Sequence, residues 1–206
     1  KTLKRLDLTS KNSYMFKSWN NDNSPLLPII QIEESDDEGT KLWLHTNTIA
    51  ERLDLSNKKI IELLLKKLNS FPLLDKWDSF LSDNITNVSK FVLGEKNEAI
   101  SLCLNLNSKN EIINWSFHLT LVKCTFIVEN KHTEALINRK NKTRITSRVL
   151  KPIKDHIENL DKILDVSKAF RKKQILEGKL EILSPNNYIN SLNELYVHNP
   201  VEYSKE

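Results

Sequence analysis

The sequence predicts an α+β protein: a β-sandwich-like head with inserted helices, followed by a long coiled-coil stalk helix and a short returning helix. Three observations predict it. Residues 98–123 alternate apolar and polar side chains as the two arms of a β-hairpin, and residues 56–81 carry apolar positions at helical spacing. From residue 146 onward the apolar residues step by three and four, as in a heptad. The head is expected over residues 1–145 and the stalk with its fold-back helix over 146–206.

Composition narrows the classes. With 206 residues, 39% of them hydrophobic and 28% charged, the chain can bury a core. No apolar run approaches the ~20 residues that a membrane-spanning helix requires. A net charge of +4 is too small to argue nucleic-acid binding for the whole molecule, so any such case rests on local clustering. Cys103 and Cys124 both lie in apolar, strand-like sequence and read as buried thiols in a reducing compartment.

In chain order, short strands are expected at residues 3–8, 14–19 and 26–32, with Pro25 and Pro28 favouring an edge because proline donates nothing to a ladder. The acidic run Glu33, Glu34, Asp36, Asp37 and Glu38 precedes a strand at 41–45. It lacks the spaced ligands of a calcium loop and reads as a solvated hairpin tip, though carboxylates so close also suggest a metal site. Ser56 is expected to cap a helix whose apolar stripe is Ile60, Ile61, Leu64, Leu65 and Leu68. Leu73, Leu74, Trp77, Phe80 and Leu81 mark a second helix. No basic second helix follows, so the pair is expected to pack on the sheet and not to read DNA.

The hairpin organises the head. Ile100, Leu102, Leu104 and Leu106 alternate with Ser101, Cys103 and Asn105; Ile113, Trp115, Phe117, Leu119 and Leu121 are expected to face inward against them. Burial of each large group is worth roughly 1.5–3 kcal/mol or more. Asn107-Ser108-Lys109-Asn110 supplies the turn. His118 has no cysteine or carboxylate at ligand spacing and reads as satisfied locally, not as catalytic.

Beyond the hairpin the chain turns basic. Arg139, Lys140, Lys142, Arg144 and Arg148 are expected to make sequence-independent phosphate contacts to DNA, against the alternative of a solvated loop leading into a helix. Leu150, Ile153, Ile157, Leu160 and Leu164 then form a seam expected to join two copies as a parallel homodimer. A helix from Pro152 to Gly178 would reach roughly 40 Å at ~1.5 Å per residue, too far for a small head to cover, so it should project. Packing of this helix on its own chain is the alternative. Tyr188, Ile189, Leu192, Leu195 and Tyr196 mark the piece that folds back.

Four stretches occur in a suggestive order: Lys66-Lys67-Leu68 before a Pro72 turn, Ala99-Ile100-Ser101-Leu102 through Trp115-Ser116-Phe117-His118, Leu150-Lys151-Pro152-Ile153, and Glu177-Gly178. Together they resemble the XLF (Cernunnos) family of non-homologous end-joining factors, with its W-x-F-H strand and its stalk that turns back. The resemblance implies a non-catalytic nuclear homodimer of double-strand break repair, with no cofactor and no metal. It implies bridging of double-stranded DNA ends and stimulation of the DNA ligase IV complex through its scaffold subunit, with Ku as a further partner. Lys66, Lys67 and Leu68, with Ile112 before the Trp strand, are the implied contact to that subunit. The chain departs from the family pattern in a longer 123–145 connection and in ending at Glu206 without a basic tail. Two readings compete: a different dimeric coiled-coil assembly protein of kinetochore or centriole type, and a metal-dependent nuclease using Glu33, Glu34, Asp36 and Asp37.

Overall fold

The computed structural model describes residues 4–17, 27–34, 39–54, 56–66, 71–73, 76–78, 82–139, 148–179, 187–189 and 195–197. In chain order they form β1 (Leu6–Asp7), β2 (Ser13–Lys17), β3 (Ile29–Glu34), β4 (Thr40–Asn47), α1 (Ile49–Arg52), α2 (Lys58–Lys66), β5 (Phe71–Leu73), β6 (Lys76–Asp78) and α3 (Asp83–Ser89). Then come β7 (Asn97–Leu106), β8 (Ile112–Val122), β9 (Phe126–Glu129), α4 (Asn130–Ile137), a 3₁₀ segment (Lys151–His156), α5 (Ile157–Leu176), β10 (Asn187–Ile189) and β11 (Leu195–Val197).

One mixed sheet of seven strands, ordered β1-β8-β7-β4-β3-β2-β9, carries the fold. The inner pairs are antiparallel, while β1 joins β8 and β9 joins β2 in parallel. The β7–β8 hairpin is its longest ladder, from Asn97 opposite Val122 to Leu106 opposite Ile112. Its turn is held by Asn107, whose Oδ1 accepts the backbone N–H groups of Lys109 and Glu111, each at 2.9 Å. Asn110 adopts φ 60°, a left-handed conformation that asparagine tolerates. A register shift between Asn105 and Leu106 leaves Ile113 as the extra residue of a bulge.

The two sheet faces differ. On one, Leu160, Ile163 and Val166 of α5, with Leu150 and Ile153 before it, pack on Tyr14, Ile32, Leu42, Leu104, Leu106 and Val128. On the other, Trp43, Ala99, Cys103 and Val122 form a second cluster with Leu8, Ile29, Phe91 and Cys124. Both cysteines are free thiols, and burial pushes each above its ordinary range. This second face also holds a buried polar chain, in which His45 Nδ1 lies 2.6 Å from Ser101 Oγ and that hydroxyl 2.5 Å from Thr120 Oγ1. A histidine beside a serine suggests a nucleophile and its base, but all three residues are fully buried.

Several expectations are corrected here. The predicted sandwich-like head with a projecting stalk is replaced by a single seven-stranded mixed sheet, with α5 lying on it. The seam residues Leu150, Ile153 and Leu160 are covered by this chain's own sheet, with Ile157 packed beside them. Heptad spacing describes an apolar stripe, and a sheet covers a stripe as well as a partner helix does. The helix is also shorter than expected: Ile153 sits at φ −107°, ψ 15°, so the regular α-helix starts only at Ile157. It ends where Gly178 takes φ +87° and Lys179 N–H donates to Gln174 O at 3.0 Å, a left-handed cap that needs glycine. The second helix expected near Leu73 is an antiparallel pair, with Pro72 opposite Trp77. The fold-back helix is likewise a pair, with Tyr188 opposite Tyr196. Each pair carries aromatic residues, Phe71 and Trp77 in one and Tyr188 and Tyr196 in the other, and the second adds β-branched Ile189 and Val197; such residues favour the extended chain.

Two measurements test this packing. Leu160→Ala empties a site that is 2% exposed and is expected to cost about 2–5 kcal/mol in urea unfolding, whereas Leu176→Ser, at 77% exposed, should stay within ~0.5 kcal/mol. Burial pushes the His45 imidazole from its ordinary 6.5 down to about 4. Between those values the unfolded chain binds the extra proton and the folded chain does not, so stability falls as pH drops from 6.5 toward 4, by on the order of 3 kcal/mol. His45→Gln should flatten that pH slope; an unchanged slope would place the titration elsewhere.

Candidate functional site

The most exposed apolar surface of the sheet lies on β8. Ile113 is 69%, Trp115 59% and Phe117 65% exposed, although the alternation predicts all three inside. The alternation assigns the face correctly: Trp115 stands opposite Leu104 and Phe117 opposite Leu102, and both leucines belong to the face that α5 covers. The cluster under α5 draws on β2, β3, β4, β7 and β9 but on no residue of β8, so the aromatic pair lies past the helix's reach. Their rings meet edge to face, with centroids 5.6 Å apart and planes at 76°.

Phe117 is shared by two hollows. One, of about 160 Å³, is walled by Pro28, Leu44, Ile100 and Leu102. The other, of about 410 Å³, is bordered by Lys4, Arg5, Asp7 and His118, because β1 runs alongside β8. Most charges around it are already matched. Arg5 pairs with Glu51 and Glu98, and its guanidinium donates to Ala99 O. Asp7 accepts from Thr9 N–H and Oγ1–H and faces Lys96 at 3.6 Å, contacts that lower its carboxyl below the ordinary range, the Thr9 bonds most. His118 is held by Ser116 Oγ at 2.8 Å and leans on Trp43, ring centroids 5.4 Å apart. Lys4 is exposed and, among the described residues, carries no ion pair.

Of the residues expected to contact phosphate, Arg139 and Arg148 lie among the described ones. Arg139 Nη2 is bound to Asp161 Oδ2 at 2.5 Å in a largely buried pair that ties the segment after α4 to α5, so this arginine serves packing. Arg148 is exposed, as are Lys151 and Lys154. Lys140, Lys142 and Arg144 lie outside the described residues. Of the expected protein contact, Lys66 is the exposed last residue of α2 and Ile112 is the half-exposed first residue of β8; Lys67 and Leu68 lie outside the described residues. Of the dimer seam, Leu164 is half-buried along α5.

Divalent cations serve phosphodiester hydrolysis when clustered carboxylates hold them. Glu33 and Glu34 are successive residues of a strand, so their side chains leave opposite faces and cannot share an ion. Each is engaged: Glu33 accepts from Trp43 Nε1–H at 2.9 Å and meets Lys11 at 3.2 Å, and Glu34 meets Lys162 at 2.7 Å. That lysine lowers the Glu34 carboxyl below its ordinary range. The pair does not fit a metal, and among the described residues no group of three or more His, Cys, Asp or Glu could hold one. Asp36 and Asp37 lie outside the described residues.

Comparison with known proteins overturns the end-joining reading. The family model for the RNB domain matches residues 5–204. Among solved structures, Mycoplasma genitalium RNase R in complex with ribose-methylated single-stranded RNA is similar at a TM-score of 0.73 and 14% identity, over 96% of this chain and 30% of that one. The Dss1 exoribonuclease of Candida glabrata, an active-site mutant, is similar at 0.71 and 15%, over 96% of this chain and 26% of that one. Yeast Ssd1, described as a pseudonuclease, is similar at 0.55 and 11%, over 70% and 18%. At these identities the likeness concerns the fold, and the chain spans less than a third of each of those proteins. No curated protein matches the chain in sequence. The XLF resemblance, and with it the non-catalytic role, the coiled-coil homodimer, the DNA ends, the ligase IV scaffold and Ku, is corrected by the RNB match and by a sheet with no stalk among the described residues. The W-x-F-H stretch is one strand of that sheet.

Proposed function

This chain belongs to the RNB domain family, and from that premise we propose that it acts on RNA as an exoribonuclease-like domain. The observation that carries the proposal is the RNB match across residues 5–204, supported by a fold like that of RNase R and Dss1. RNA offers a chain of phosphates and, where single-stranded, open base faces. Exposed Arg148, Lys151 and Lys154, close together in sequence before α5, are suited to the phosphates; the open aromatic rings of β8 offer an apolar counterpart.

A second reading, RNA binding without cleavage, is favoured by one observation: Glu33 and Glu34 face opposite ways and are each neutralised by a lysine, so the two do not form a cleaving centre. The similarity to Ssd1 fits it too.

An end-labelled single-stranded RNA incubated with the protein and Mg²⁺ or Mn²⁺ separates them. Progressive shortening from one end is the expected result. Intact RNA held in a complex would select the second reading, and RNA neither bound nor shortened would refute both. Binding is expected to weaken with salt, and Lys151→Glu with Lys154→Glu should flatten the slope of log K against log salt by roughly 0.7 for each phosphate no longer neutralised.

A further inference from the structure

We propose that Trp115 and Phe117 form a stacking platform for two successive bases of a single RNA strand, with the phosphate between them directed toward Lys4. The inference rests on the proposal that this chain handles RNA and adds a site to it. Three observations converge on β8. The two rings are more than half exposed on a sheet face that α5 covers over β2, β3, β4, β7 and β9, and they are held by a ten-residue ladder with β7. They are aromatic where a merely sticky surface needs only aliphatic groups, and every base has a face to set against them. Phe117 also lines a groove of about 410 Å³ bordered by Lys4, where Arg5 and Asp7 are already neutralised by their own partners.

Geometry selects the form of the RNA. Side chains two apart on a strand lie roughly 6.8 Å apart along it. Bases in a helical stack lie parallel and rise only about 3.4 Å, whereas the two ring centroids stand 5.6 Å apart with planes at 76°, so the rings accept bases splayed apart in an extended strand and not a continuous duplex stack. A duplex would also keep its base faces covered. The bulge at Ile113 closes the platform at the hairpin end, because it breaks the regular two-residue repeat there.

The test measures affinity of the full chain for a short single-stranded oligonucleotide by fluorescence anisotropy, with an abasic strand of equal length and a duplex as comparators. Because both rings are exposed, their replacement leaves the core intact, and circular dichroism verifies the fold. Trp115→Leu and Phe117→Leu keep an apolar surface but remove the ring faces; each should weaken single-strand binding about tenfold, while Trp115→Phe should stay within about threefold. The abasic strand should bind weakly to the parent and equally to the variants. If the parent binds RNA and the leucine variants bind as well as it does, or if the abasic strand binds like the natural one, the platform is refuted while RNA handling stands. If the parent binds no RNA, both proposals fall. Self-association or protein capture abolished by the alanine pair Trp115→Ala and Phe117→Ala, at unchanged RNA affinity, would make this face a protein interface and overturn the inference.

Discussion

The structure depends on one contact: the apolar stripe of α5, with Ile153 and Leu150 ahead of it, laid across strands from β2 to β7. These groups are nearly solvent-free, and among the described residues the stripe is the largest apolar surface that a helix offers the sheet. Its position also sets the limits of coverage. The sheet is seven strands wide and a helix is about 10–12 Å across with its side chains, so one helix cannot cover all of it. What α5 leaves bare is the outer part of β8, and that part carries the aromatic rings. Polar ties beside the stripe fix the helix to the sheet: Asn159 Nδ2 donates to Tyr14 OH at 3.1 Å, and Lys162 reaches Glu34 on β3.

The hairpin was legible because little besides a strand with one covered face produces a period of two over ten residues, and the side-chain turn at Asn107 was equally plain. The helix of residues 157–176 was legible as a helix, but its covering partner was not. Leu150, Ile153, Leu160 and their neighbours state that a surface is buried, and spacing by three and four is silent on whether a helix or a sheet buries it. Short segments failed for a different reason. Phe71–Leu73 and Lys76–Asp78 hold too few residues for periodicity to separate strand from helix, and tertiary pairing decides.

The site was the least legible part. Alternation along β8 gives the face of Trp115 and Phe117 correctly, but a face counts as interior only where something lies over it, and that depends on a helix some forty residues later. In the basic segment, Arg139 sits among other cations in sequence and is held in space by Asp161, a partner that lies 22 positions further along the chain. The likeness to end-joining factors rested on the order of elements and on a W-x-F-H strand, and neither is specific. An exposed W-x-F pair on a sheet strand suits many surfaces.

The sheet order has a consequence for how this chain folds. Strand β2, near the start, is completed on one side by β9, so that Ser13 N–H reaches Thr125 Oγ1 across 112 positions of sequence. During synthesis β2 can pair early with β3, but its other edge stays open until the ribosome has delivered the hairpin and β9. Such distant parallel pairing closes a long loop before any contact rewards it, which slows folding and leaves an unsatisfied edge to meet other chains in the interval. Chains cut short before Phe126 therefore retain that open edge, and they are the ones most prone to associate.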